Sequence, residues 1–277
     1  MPLIRPQIMD LAACRYVVRW RQRVRWILLL ALAAGGAVGC RGAVDDTAAQ
    51  RFAAANQAFA AAESRQQFLE VANRYQEILD QGVLSGAVLY NQGNAWMRAG
   101  EVGRAIASYR RALRFRPRDP QLAANLRSAV SATAVPVDSA PVWGYLFFWQ
   151  NWLSYPEKFV LTTALLVVTL ILGLFMRFPA VGAVSRRCAL LSGALWTLSL
   201  LSTGWDWHRF ERIEHGVVIV DEVIPRKGNS ENYEPAFTEV VREGAEFQVL
   251  ARRGDWLHIR LGTSGDAWVE RRDVVTY

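Results

Sequence analysis

Two runs of the chain, Phe159 to Met176 and Cys188 to Trp205, carry no charged residue over about 18 positions each, near the ~20 that a helix needs to cross a bilayer. A peptide group in lipid has no water to bond, so a single segment there must satisfy its own backbone as a helix. The runs therefore predict a membrane hairpin whose aromatic ends lengthen each span. Arg177, Arg186 and Arg187 lie between them with no acidic residue, and cationic loops stay on the cytoplasmic side. The flanking segments are then expected together on the opposite side. With the spans bounded at 159–176 and 188–205 and the loop at 177–187, neither span holds an Asp, Glu, Lys, Arg or His. That predicts an anchor and no transport pathway. Cys188 is expected as an inert buried thiol, and the three cysteines have neither metal-type nor disulfide-type spacing.

The chain before the hairpin begins with a second kind of membrane signal. Arg15, Arg19, Arg21, Arg23 and Arg25 precede an apolar stretch from Trp26 to Gly39, about 14 residues, the length of a signal-peptide core rather than a span. Residues 1–40 are therefore read as an export signal. Ala37-Val38-Gly39-Cys40 resembles a bacterial lipoprotein box, with Ala37 where Leu is usual, which makes Cys40 a lipidation candidate. The alternative is an ordinary signal or an uncleaved anchor. Met9 is an alternative start to Met1. Export would put both flanking segments outside the cytoplasm, in agreement with the arginine loop.

Trp143, Tyr145, Phe147, Phe148, Trp149, Trp152 and Tyr155 follow one another just before the first span, within a segment, 131–158, that starts as a proline and small-residue linker. This density predicts an interfacial aromatic belt. A stacking platform for nucleic acid would need interleaved basic residues, which this stretch lacks. The net charge of +7 is carried largely by arginines beside apolar runs, so no nucleic-acid partner is expected.

Residues 41–130 are Ala-rich, with helical periodicity. Leu89, Gly93, Trp96, Ala105, Tyr109, Ala112 and Pro117 resemble a tetratricopeptide repeat. Gly93 and Ala105 let two antiparallel helices approach, and Trp96 and Tyr109 fill the space between them. Gly100 suits a left-handed cap, and Pro117 stops the second helix. Leu89 and Gln92 depart from the usual Trp and Leu. Phe52, Phe59, Phe68, Val71, Tyr75, Ile78 and Leu79 form an upstream stripe that aligns as a degenerate first repeat. Its first helix lies further upstream than a period of ~34 would put it, implying a small insertion near Ser64. Pro120 is placed to open a capping helix. The first helix of each pair would line the binding face, making Asn91, Asn94 and Arg98 a candidate peptide groove, although both asparagines are also common in ligand-free repeats. Arg104, Arg110, Arg111, Arg114, Arg116 and Arg118 are expected as a solvated face, with anionic lipid headgroups as the sharper alternative.

Over 216–277 the period changes to two. Val217 to Val220, Glu246 to Ala251, Trp256 to Leu261 and Ala267 to Glu270 predict strands, joined by turns at Gly254 and Gly262 to Gly265. Glu243-Gly244, Val249-Leu250, Gly254-Asp255-Trp256, Ile259-Arg260 and Ala267-Trp268-Val269 resemble a bacterial SH3-like domain, with Ala267 where glycine is common. The resemblance implies binding of cell-wall peptides or protein segments, with Tyr233, Phe237, Trp256 and Trp268 as candidate surface aromatics. Trp256 and Trp268 are favoured instead as core or end-closing residues.

The expected fold class is thus a multidomain membrane protein: all-α tetratricopeptide-repeat helices, two transmembrane helices and a small all-β SH3-like barrel. In this order the parts resemble BatE-like proteins of the Bacteroides aerotolerance operon type. That resemblance implies a non-enzymatic component of the bacterial cytoplasmic membrane, a scaffold with von Willebrand-type or MoxR-type ATPase system partners. Wall anchoring on peptidoglycan is the alternative. The sequence pairs no nucleophile with a base, and no metal-ligand cluster or phosphate loop is present to imply a cofactor.

Overall fold

The computed structural model describes residues 46–133, 148–178, 181–262 and 264–277. The signal segment with Cys40, and Trp143, Tyr145 and Phe147, lie outside the described residues. Residues 51–277 form one unit and are treated together.

Five helices come first: α1 (Asp46–Ala61), α2 (Arg65–Asp80), α3 (Gly86–Ala99), α4 (Val102–Leu113) and α5 (Pro120–Ala132). Their ends follow local chemistry. Ser64 caps α2 in a reciprocal box with Gln67. Gly100 closes α3 at φ 80°, a left-handed position open to glycine at little cost. Asp119 caps α5, with Pro120 in its first turn. The pairing is that expected from the spacing. Gly93 lies under the Tyr109 ring so closely that a Cβ would enter it, while Ala105 and Tyr109 are buried at 0% and 1% exposure. The upstream pair of helices is spaced more widely. Tyr75 reaches Asn56 across 19 positions and Tyr109 reaches Asn94 across 15, a difference of about one helical turn.

Next come a short helix α6 (Phe148–Trp152) and the two long helices α7 (Tyr155–Phe175) and α8 (Gly182–Trp207), both long and apolar enough to cross a membrane. They pack as an antiparallel hairpin with leucines outward. Both helices extend past the expected bounds, which stopped at the first charge. Arg186 and Arg187 sit on the opening turns of α8, because long cationic side chains can leave the apolar layer while their backbone stays helical. Cys188 is exposed on the outer face, contrary to the expectation of burial.

The extension brings in a buried ion pair. Lys158 Nζ donates to Asp206 Oδ2 at 2.6 Å and to the Gln150 carbonyl at 2.7 Å, with both residues almost wholly buried. Gln150 also donates to Asp206 Oδ1. Below the pair, hydroxyl contacts continue along the interface: Thr162 with Ser199 and Thr203, then Thr169 with Ser192. In a bilayer apolar side chains would gain little from each other, and polar contacts of this kind would fix which faces of the two apolar helices meet.

After a π-helical turn at His208–Arg212, an antiparallel sheet orders its strands β6-β5-β4-β1-β7. These are β1 (His215–Val218), β4 (Glu246–Arg253), β5 (Trp256–Leu261), β6 (Gly265–Glu270) and β7 (Val274–Thr276). Strands β2 (Glu222–Val223) and β3 (Val241–Arg242) pair separately. Leu257, Ile259, Leu261 and Val269 with Phe247 form its core. The period-two pattern thus marks the main strands, while the inward positions fall to Leu257, Ile259 and Val269 rather than to Trp256 and Trp268, and β7 and the short β2–β3 pair were not foreseen.

Removing only one charge of the buried pair strands the other, at a cost of about 3–5 kcal/mol. Lys158→Met alone is therefore expected to lower unfolding stability in detergent by that order, and Lys158→Met with Asp206→Leu to recover most of it. A double variant no more stable than either single one would refute the coupling.

Candidate functional site

The first helices of the successive hairpins, α1 and α3, and the capping helix α5 carry a row of half-buried asparagines. Asn56 Oδ1 accepts from Tyr75 Oη at 2.7 Å and from Asn91 Nδ2 at 2.9 Å. Asn94 Oδ1 accepts from Tyr109 Oη and Asn125 Nδ2, each at 2.8 Å, and Asn125 also donates to Tyr90 Oη. Burial pushes the Tyr75 phenol up to about 12, with the bond to an asparagine acting in the opposite sense. Tyr109 is raised by burial as well. Both tyrosines therefore stay protonated donors at neutral pH and hold their asparagines in one orientation.

The row spends one pole of each amide internally. The opposite poles, Asn56 Nδ2, Asn91 Oδ1, Asn94 Nδ2 and Asn125 Oδ1, have no partner among the described residues. In order along the face they read donor, acceptor, donor, acceptor, the alternation that an extended backbone can match. Arg98 stands exposed one turn on from Asn94, with its guanidinium 6.0 Å from the Phe68 ring centroid. Asn91, Asn94 and Arg98 thus lie on one face. Asn56 and Asn125 were missed, although each sits about one repeat period from Asn91.

The aromatics of the β domain separate. Trp256 and Trp268 occupy the positions that alternate with the core and are half-buried on the outer face, so the expected core packing is not found. A core strand position and its neighbour point to opposite faces, and Leu257, Ile259 and Val269 take the inner one. His258 stacks on Trp268 at 4.8 Å between ring centres, and Arg253 lies 5.7 Å from the same ring centre. Phe237 packs against the core. Tyr233 is 50% exposed, with its ring against Gly228.

The arginine cluster is not a solvated face. Arg110 forms a bidentate pair with Glu246 at 2.6 and 2.8 Å, joining α4 to β4. Arg114 bonds Glu211 at 2.5 Å, its guanidinium 4.7 Å from the Tyr155 ring centre and 5.1 Å from that of Phe210. Arg118 pairs with Glu157, its guanidinium 5.0 Å from the Trp152 ring centre. These pairs join residues 136, 97 and 39 positions apart, so no local spacing announces them. They hold the helical domain against the sheet and the open end of the hairpin. Gly103 N–H donates to Glu243 Oε1 at 2.7 Å across the same junction.

No family model, curated protein or solved structure matches this chain. The site is read from its own chemistry.

His215 gives the junction a pH response. Burial, aided by Arg209, holds its imidazole below the ordinary 6.5, so the fold prefers the neutral form. That stabilisation is present above the unfolded value and is lost as pH falls through the lower folded one. His215→Phe, which keeps a ring on Tyr277, is expected to flatten the drop in melting temperature below pH 6.5. An unchanged slope would assign the acid sensitivity elsewhere.

Proposed function

We propose that the chain is a non-enzymatic, membrane-anchored scaffold of the bacterial envelope that docks an extended protein segment along the asparagine row of a tetratricopeptide-type repeat. The observation that carries this is the alternation of open amide poles beside exposed Arg98. A docked strand would exchange water for four backbone bonds, each worth about 0.5–1.5 kcal/mol net, and Arg98 favours a carboxylate next to it. The row is already oriented by Tyr75 and Tyr109, which lowers the ordering cost of binding.

The arginine loop and the expected signal support a cytoplasmic-membrane location, with both flanking domains on the outer side. In keeping with the BatE-like resemblance, a von Willebrand-type or MoxR-type ATPase system protein is the partner class to test first. A second reading rests on the half-exposed Trp256, His258 and Trp268 face with Tyr233 outside it. In it, an SH3-like domain holds peptidoglycan stem peptides.

The readings separate in full-length protein. Photo-crosslinking from position 98 in cells is expected to give discrete protein adducts, weakened when Asn91 and Asn94 become Ala and unaffected by Tyr233→Ala. Adducts that persist unchanged in the asparagine variant would sink the groove reading. Co-sedimentation with peptidoglycan that fails on Trp268→Ala would favour the second. A cysteine placed within Val181 to Ser185 should resist labelling from outside intact cells, and labelling there would reverse the orientation.

A further inference from the structure

Behind the asparagine row, on the side where α4 meets the sheet, is a small cavity of about 60 Å³. Gln76, Gln92, Ser108, Thr276, Arg104 and Arg111 supply its polar lining, beside Trp96 and Tyr277. No carboxylate side chain lines it. Its neutral groups are mutually bonded: Ser108 donates to Gln92 Oε1 at 3.0 Å, Gln92 to Gln76 Oε1 at 2.8 Å and Gln76 to Asp80 Oδ1 at 2.7 Å. Gln92 and Ser108 are buried, so the polar wall is rigid.

The two cations are treated differently by the fold. Arg104 already has company: Glu101 at 3.5 Å and the Trp96 ring centre at 5.3 Å. Arg111 is half-buried, and no hydrogen bond or ion pair holds its guanidinium among the described residues. Asp80 acts on it only through space, and burial outweighs that attraction. A guanidinium cannot shed its charge, so it needs either water or an anion on its five donors.

We infer that this cavity is a binding site for a small oxyanion, a phosphate or carboxylate group held by Arg111, with Arg104 and the Thr276 hydroxyl also on its lining. Two arginines on the lining of a recess without acidic side chains give the sign of the ligand, and the volume limits it to one compact group. The site lies between helix α4 and strand β7, so occupancy would add a bridge across the junction that Arg110 and Glu246 already span. It is independent of the asparagine row.

The test uses the full chain in detergent, titrated with inorganic phosphate or acetate against sodium chloride at equal ionic strength. Melting temperature and Trp96-dependent fluorescence are read together. Saturable stabilisation by phosphate or acetate is expected, and which anion acts identifies the source of the chemistry. Arg111→Gln should weaken it by about tenfold or more, the equivalent of one charged hydrogen bond, while exposed Arg74→Gln leaves it intact. Arg111→Gln should also be no less stable than the native chain without added anion, since it removes a half-buried charge that has no partner among the described residues. If that variant does not fold, Arg111→Lys takes its place and must weaken phosphate by about fivefold or more. No saturable response in the native chain, or an equal response in the Arg111 variant, overturns the proposal.

Discussion

Helix α4 is buried on nearly every side, and the rest of the structure depends on that. Its buried residues run Gly103, Ala105, Ile106, Ala107, Ser108, Tyr109 and Ala112, too many for one face of an isolated hairpin. One side packs on α3, where Gly93 admits Tyr109. The other meets β1 and β7, where Gly103 comes so near the Val218 carbonyl that a Cβ would clash with backbone. Val217 from the sheet joins the helical core outright. Backbone-to-backbone approach of this kind leaves little freedom, because main-chain atoms cannot change rotamer. Arg110 and Glu246 then close the rim of the contact.

The same arrangement shapes what the chain can do. With α4 covered by the sheet, the helical domain is left with the α1, α3 and α5 face for contact. On that face two tyrosines spend their hydroxyls on orienting asparagines, so the open amide poles are set before any ligand arrives. The covered side keeps a small recess, where half-buried Arg111 has no hydrogen-bond or ion-pair partner among the described residues. The two features differ chemically, one neutral and alternating, the other lined by two cations.

At the hairpin a second constraint acts. Lys158 and Asp206 are each the first charge at the same end of an apolar run, and their pairing brings the ends of α7 and α8 together where Arg114 and Arg118 dock the helical domain. A buried pair of this sort contributes little net stability against an apolar alternative, but a mismatch is costly, so it selects one register. Opposite charges at the same end of two antiparallel spans are a signal that sequence carries. They go unused when each span is ended at its first charge.

What the sequence determined by itself is what depends on periodicity and local caps. The two apolar runs read as helices, because a charge-free run of that length would have to satisfy its own backbone in a bilayer. Gly93, Gly100, Tyr109 and Pro120 marked the helical hairpin, since small, left-handed and capping positions act within a turn or two. Alternation marked the strands over 256–261 and 267–270 without fixing which of their two faces turns inward. Only the tertiary structure decided where the arginines go, because Arg110, Arg114 and Arg118 find carboxylates some 40 to 140 positions away, and any of several would satisfy a sequence pattern. It also decided that Trp256 and Trp268 face outward, as a one-residue change of face follows from strand register, and that Asn56 and Asn125 join Asn91 and Asn94. Local chemistry makes the elements, and long-range packing chooses which of their polar groups remain free to bind.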